Sequence, residues 1–378
     1  MPGRCVASPV SADGVVLHRD VRLHTVRPVA WHDRLLGFLS VDIGIDLGTA
    51  NTLVAVQGRG VVISEPSVVA VKKGTKDVLM DGMAVGDQAK VMLGKSPGGV
   101  EVIRPMKDGV IADLEITEAM LRYFIRKATG RRSWVRPRVV IAVPSGINQV
   151  EKGAVTNSAV QSGAREVYLI SQPLVSAIGA GLPIAEPVGS MIVDIGGGTT
   201  EVAVISFAGL VASESVRVAG DEIDQSIIRY LKNQYSVVVG ENTAEQVKLH
   251  VGCAAPPPEE IRLTIRGRDL RTGMPRALEV NSTEIGEAIR PQVQAIINSV
   301  KIVLERTAPE LAADLIDRGI VMAGGTSQLR GLAELLARET GLPVCLAADP
   351  MTCVARGCAA LLENFDDLKQ ILEAGTAD

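Results

Sequence analysis

Two stretches of this sequence carry an acidic residue into a glycine-rich turn: DLGTANTLVAV from Asp46 and DIGGGTTEVAV from Asp194. They lie 194 − 46 = 148 residues apart. Each reads as an apolar run, Asp-x-Gly, small or hydroxylic residues, and a second apolar run ending Val-Ala-Val. Turns of Gly, Thr, Ala and Asn leave consecutive backbone N–H groups unshielded, which is what a phosphate oxygen needs. Gly48, Thr49, Ala50 and Asn51 are therefore candidate phosphate contacts in the first copy, and Gly196, Gly197, Gly198 and Thr199 in the second. Asp46 and Asp194 end their strands and point toward whatever the turns hold. Two carboxylates facing one polyphosphate repel it unless a divalent cation lies between. Mg²⁺ is the natural candidate, since it is commonly held through carboxylates, waters and phosphate oxygens.

The elements around the turns follow from pattern. Strands at 41–46 and 53–56 flank the first turn, and the repeat predicts two like-folded halves. Residues 61–71 read as one further strand, 86–93 as helix-like, 116–127 as an amphipathic helix and 138–144 as a buried strand. A helix at 149–162 and a strand at 167–170 lead to Ser171-Gln172-Pro173 and a helical 174–180. Gly94-Lys95-Ser96 is not a P-loop, because Ala89 stands where its first Gly is required.

In the second half, Gly220 opens a helix whose apolar Ile223, Ile227, Ile228 and Leu231 share one face. Thr243-Ala244-Glu245-Gln246 reads as a capping box opening the next helix, with Glu245 and Lys248 on one side and Pro256–Pro258 as its breaker. An outer hairpin, a long helix at 282–306 and a strand at 320–322 follow. That strand runs into Gly324, Gly325, Thr326 and Ser327, with helices predicted at 328–339 and 350–362.

The motifs IDLGTANTLV (45–54), EPSVVAV (65–71), IRPMKDGVIAD (103–113) and VDIGGGTTEVAVIS (193–206) resemble those of MreB, the bacterial actins, over about 41–372. The resemblance implies an actin-like α/β ATPase fold, two duplicated domains with a small inserted subdomain each, around a nucleotide cleft. The expected division is an extension at 1–40, domain I at 41–182 with an insert about 72–102, and domain II at 183–378 with an insert about 226–281. ATP and Mg²⁺ are the implied cofactors, with the metal on Asp46 and Asp194 through water. Further nucleotide contacts fall on Gly220, Asp221, Glu245, Gln246, Val247 and Lys248, and on Gly324, Gly325, Thr326 and Ser327 beside the adenine.

The resemblance gives Gln172 the place that faces the terminal phosphate and positions the attacking water. MreB proteins usually set two glutamates before this proline, so Ser171-Gln172 is a departure. A glutamine orients water without accepting its proton, so hydrolysis is expected to be slow. Trp134 and Val135, between Arg131, Arg132, Arg136 and Arg138, match a loop that dips into the membrane. Self-association into filaments on the inner face of the cytoplasmic membrane is implied, with cell-shape and wall-synthesis membrane proteins as partners.

Composition narrows the classes. A chain of 378 residues with 47% hydrophobic content suits two aliphatic-cored domains, and a net charge of −4 gives no case for nucleic-acid binding. Five scattered cysteines read as reduced thiols of a cytoplasmic protein. No uncharged apolar run approaches transmembrane length. In residues 1–40, Trp31, Leu35, Phe38 and Leu39 recur at helical spacing. That stretch reads either as a disordered extension or as a membrane-surface anchor. Three classes stay open: a filament-forming ATPase, a kinase or chaperone ATPase with the same cleft, and a nucleotide-binding scaffold without hydrolysis.

Overall fold

Both acidic-glycine stretches sit at the centre of a sheet, and the two sheets share one strand order. The computed structural model describes residues 41–130 and 136–363. In its first half, β1 (Ile43–Leu47), β2 (Asn51–Val56) and β3 (Gly60–Pro66) form a meander. Next come β4 (Val69–Lys72), a single helical turn at Asp87–Lys90, and β5 (Val100–Ile103). The hairpin β6 (Met106–Lys107) and β7 (Val110–Ile111) precedes α1 (Leu114–Thr129). Then β8 (Arg138–Val143), α2 (Gln149–Gln161), β9 (Glu166–Ser171) and α3 (Gln172–Gly179) complete the half.

The second half repeats the plan. β10 (Ser190–Ile195), β11 (Thr200–Ser206) and β12 (Gly209–Val216) are its meander. An excursion follows through α4 (Gly220–Tyr235), β13 (Val237–Val238), α5 (Glu241–Val251), β14 (Arg262–Asp269) and β15 (Pro275–Asn281). The chain returns through α6 (Ser282–Arg306), α7 (Pro309–Arg318), β16 (Ile320–Ala323), α8 (Leu332–Thr340), β17 (Val344–Leu346) and α9 (Cys353–Glu363).

Among the described residues the sheet orders are β3-β2-β1-β8-β9 and β12-β11-β10-β16-β17. Each central strand pairs antiparallel with the strand after its turn and parallel with the one beyond its crossover. Asp46 pairs across to Leu53 and Ala142, and Asp194 to Glu201 and Ala323, so the two carboxylates hold equivalent positions.

Each half has its own aliphatic core, and a third core lies between the sheets. That middle layer is α3 and α9, whose backbones touch: a Cβ on Gly179 would lie 1.8 Å from Cys353 O, and one on Gly357 2.0 Å from Val175 O. The helices are exchanged between halves. α3, from the first half, packs on β10 and β11, while α9, from the chain's end, packs on β1 and β2. Gln57 Nε2 donates to Leu362 O at 2.8 Å and closes that contact.

Several sequence expectations need correction. The strand at 61–71 is two strands, because Pro66 has no N–H for a ladder and Ser67 turns back toward the first glycine turn. The helix at 86–93 is only the turn Asp87–Lys90. α5 opens at Glu241 behind Gly240, so Thr243 caps nothing, and it ends at Val251 before the prolines. After Gly324 the chain makes a 3₁₀ turn, Gly325–Gln328, and α8 starts only at Leu332.

Candidate functional site

The first glycine turn is held from behind by the segment after β3. Ser67, fully buried, donates its N–H to Ala50 O at 3.0 Å and its hydroxyl to Gly48 O at 2.6 Å. Its Oγ also lies 2.8 Å from Thr52 Oγ1. The second turn is held from three sides. Gly196 O accepts from Thr326 Oγ1 at 2.7 Å and from Gly220 N–H at 3.2 Å, and Gly197 O accepts from Asp221 N–H at 2.8 Å. Lys248 Nζ, on α5, donates to Gly220 O at 3.0 Å and to Asp224 Oδ2 at 2.8 Å. With their carbonyls taken in this way, both turns are held in place by the surrounding chain.

The two turns meet. A Cβ on Gly197 would lie 2.5 Å from Ala50 Cβ, and one on Gly198 2.4 Å from Thr49 Oγ1, so only glycine lets the halves come this close. The β6–β7 hairpin wedges beside them. Its Gly109 N–H donates to Thr49 Oγ1 at 3.1 Å, and its backbone lies against Thr199 and Pro144. Across the junction, next to Asp194 on the neighbouring strand, Glu201, fully buried, accepts from Ser145 N–H at 3.0 Å, Ser145 Oγ at 2.6 Å and Ser215 Oγ at 2.5 Å.

Beneath the turns the two aspartates face each other. Burial in the cleft wall, and then the neighbouring Asp194 charge, push Asp46 up to about 8. Burial pushes Asp194 up to about 6, with Ser176 and Gln172 acting in the opposite sense and Glu201 adding to the rise. Among the described residues Asp194 Oδ2 has no hydrogen-bond partner. A buried carboxylate oxygen left without a partner is unfavourable unless something positive supplies one. These residues fit a hard divalent cation completed by water and phosphate oxygens. Among the described residues no three or more His, Cys, Asp or Glu side chains form an all-protein cage.

The turns and carboxylates line one cleft of about 1060 Å³ between the halves. Gly48 to Asn51, Gly196 to Thr199, Gln172, Gly220, Asp221, Glu245, Lys248, Gly324, Gly325 and Thr326 all border it. Three residues expected there do not. Gln246 is exposed on the outer side of α5, Val247 is fully buried in the second core, and Ser327 is sealed with its Oγ donating to Gly324 O at 2.6 Å. A helix presents only one face to a cleft, so Glu245 and Lys248 reach it and the residues between them cannot. Glu245 and Lys248 do not pair with each other; Glu245 lies 3.6 Å from Lys90 Nζ, and Lys248 takes Asp224.

Asp224, Lys90, Arg104, Glu241 and Asp108 also border the cleft and were missed by sequence reasoning. Asp224 was findable, three residues beyond Asp221 on the same helix face. The others come from segments that no local spacing links to the turns. Trp134 and Val135 lie outside the described residues, as do 1–40.

A family model described as MreB/Mbl protein matches residues 40–370. The chain belongs to the MreB/Mbl family. The cell shape-determining protein MreB of Escherichia coli (strain K12) is 51% identical over 332 residues, covering 87% of this chain and 95% of that protein. The cell shape-determining protein Mbl of Bacillus subtilis (strain 168) is 49% identical over 327 residues, covering 86% and 97%. The crystal structure of MreB5 of Spiroplasma citri bound to ADP superposes with a TM-score of 0.82 at 34% identity, over 88% of this chain and 98% of that one. Membership in MreB/Mbl accounts for the duplicated sheets and the shared strand order, and the fold is actin-like.

Proposed function

We propose that the chain is an ATP-binding, slowly hydrolysing bacterial actin homologue. It polymerises into filaments on the inner face of the cytoplasmic membrane and helps organise wall synthesis and cell shape. One observation carries the reading: two glycine turns from opposite halves touch over a facing pair of carboxylates in a single cleft. A polyphosphate bound there contacts both halves at once and biases the cleft closed. Loss of the terminal phosphate removes that bridge, so nucleotide state sets filament stability.

The residues divide the work. Backbone N–H groups of Gly48 to Asn51 and Gly197 to Thr199 hold the phosphates, the Gly196 N–H being spent on Thr199 O at 2.9 Å, while Gly220, Asp221, Glu245, Lys248 and the loop at 324–326 border the nucleoside side. Asp46 and Asp194 would hold Mg²⁺ through water, and the bound cation would supply charge neutralisation at the phosphates. Gln172, at the start of α3 and beside Asp194, orients water and cannot take its proton. The domain limits proposed from the sequence, 41–182 and 183–378, leave these two turns in different halves.

The membrane contact is assigned to Trp134 and Val135. A buried large apolar side chain contributes roughly 2–3 kcal/mol, and each nearby Arg about 1 kcal/mol at an anionic leaflet. Single subunits then bind weakly and filaments bind firmly through avidity. Sedimentation with ATP, with phosphate release measured in the same tube, tests the whole reading. The expected result is ATP-dependent pelleting with slow phosphate release. Pelleting without release leaves a nucleotide-binding scaffold, and release without pelleting points to a kinase or chaperone-type ATPase.

A further inference from the structure

Two ion pairs cross the mouth of the cleft. Lys90 Nζ lies 3.6 Å from Glu245 Oε2, and Arg104 Nε donates to Glu241 Oε2 at 3.3 Å. Lys90 ends the helical turn at Asp87–Lys90 and Arg104 directly follows β5 in the first half, and both carboxylates stand one turn apart on α5 of the second. All four side chains border the cleft. Arg104 also faces Asp221, whose carboxyl is pushed up by burial and drawn back by Arg104 and Lys248.

The polar contacts across the junction differ in kind. Beside Asp194, Glu201 is sealed from water and takes three hydrogen bonds, two of them from Ser145 of the first half. At the mouth, the four paired side chains are between 31% and 48% exposed, so salt reaches them. Opening should therefore begin at the exposed pairs.

We propose that Lys90–Glu245 and Arg104–Glu241 form a charge latch that sets how long the bound ligand stays in the cleft. The proposal rests on the reading of that cleft as a nucleotide site. A ligand leaves only after the small excursions part, and parting them breaks both pairs. An exposed pair is modest, so removing one is expected to change the release rate roughly twofold to fivefold, and reversing one charge somewhat more.

The test is a charge-reversal cycle on the full chain, kept below its polymerising concentration. Release of a fluorescent ATP analogue, loaded with Mg²⁺, is followed after a chase with unlabelled ATP. Arg104→Glu and Glu241→Arg are each expected to speed release about threefold to tenfold, and the double reversal to return it toward the wild-type rate. Added salt should speed wild-type release and affect Arg104→Ala less. Lys90→Glu repeats the test at the second pair and decides the matter if an Arg104 variant does not fold. Single reversals that release at the wild-type rate, or a double reversal that compounds the two effects, would overturn the latch while leaving nucleotide binding in place. A wild type that takes up no analogue would overturn the nucleotide reading, and the latch with it.

Discussion

Asp46 and Asp194 are carboxylates kept where negative charge is unfavourable, and that fixes how the ligand-free protein responds to pH. Both folded values lie above the ordinary 3.8, so the folded state holds these protons more tightly than the unfolded chain does. Their stabilising contribution is complete below the unfolded value. It is lost as pH rises, through about 6 for Asp194 and about 8 for Asp46. Thermal melts at stepped pH should therefore show Tm falling across that window, with Asp46→Asn flattening its upper part. A Tm that stays level in both proteins would count against the facing-carboxylate geometry. Gln172 makes a separate prediction. Gln172→Ala is expected to slow phosphate release by about 10- to 100-fold, because water is left unoriented, and to leave ATP affinity nearly unchanged. Equal release rates would remove Gln172 from the mechanism. Asp46, Asp194 and the turn glycines were legible because acid, glycine and flanking strand recur together at one interval. Ser67 was not assigned, since its role depends on Pro66 folding the chain back, which no periodicity reports.

Helices and strands were legible in proportion to how far local pattern decides them. The long helix expected at about 282–306 matches α6, whose apolar spacing continues past Pro291, and the structure adds the Asn281 and Glu284 capping box that fixes its start. α5 was misjudged at both ends. Gly240 and Gly252 bound it with backbone alone, and a side-chain signature at Thr243 was a false start. The crossing of α3 and α9 was invisible, since its two glycines are 357 − 179 = 178 residues apart. At that crossing a single methyl is expected to be severe. Gly357→Ala places a Cβ 2.0 Å from Val175 O, where both atoms belong to packed helix backbones with nowhere to move. The expected loss is several kcal/mol, at the upper end of about 1–3 kcal/mol or beyond for overpacked cores. Urea unfolding measures it directly. A Gly357→Ala protein as stable as wild type would mean that the helices cross further apart.

Taken whole, the molecule is one architecture built twice and then tied together by exchanging a helix. The duplication was legible because it is written in the sequence, but the exchange was not, because it is a matter of which sheet a helix meets. The proposed membrane contact is tested at this scale, since it is expected to depend on the number of linked subunits. Liposome flotation of polymerised Trp134→Ala should recover markedly less protein than wild type, whereas full recovery would remove Trp134 from the contact. The β6–β7 hairpin carries a consequence of its own. Gly109 bonds to Thr49 of its own half while its backbone leans on Thr199 of the other. Any parting of the halves must strip the hairpin from Thr199 before it disturbs Thr49. A spectroscopic label on the neighbouring Asp108 would thus register separation as a change on one flank only, turning a bend of the chain into a built-in gauge of the gap.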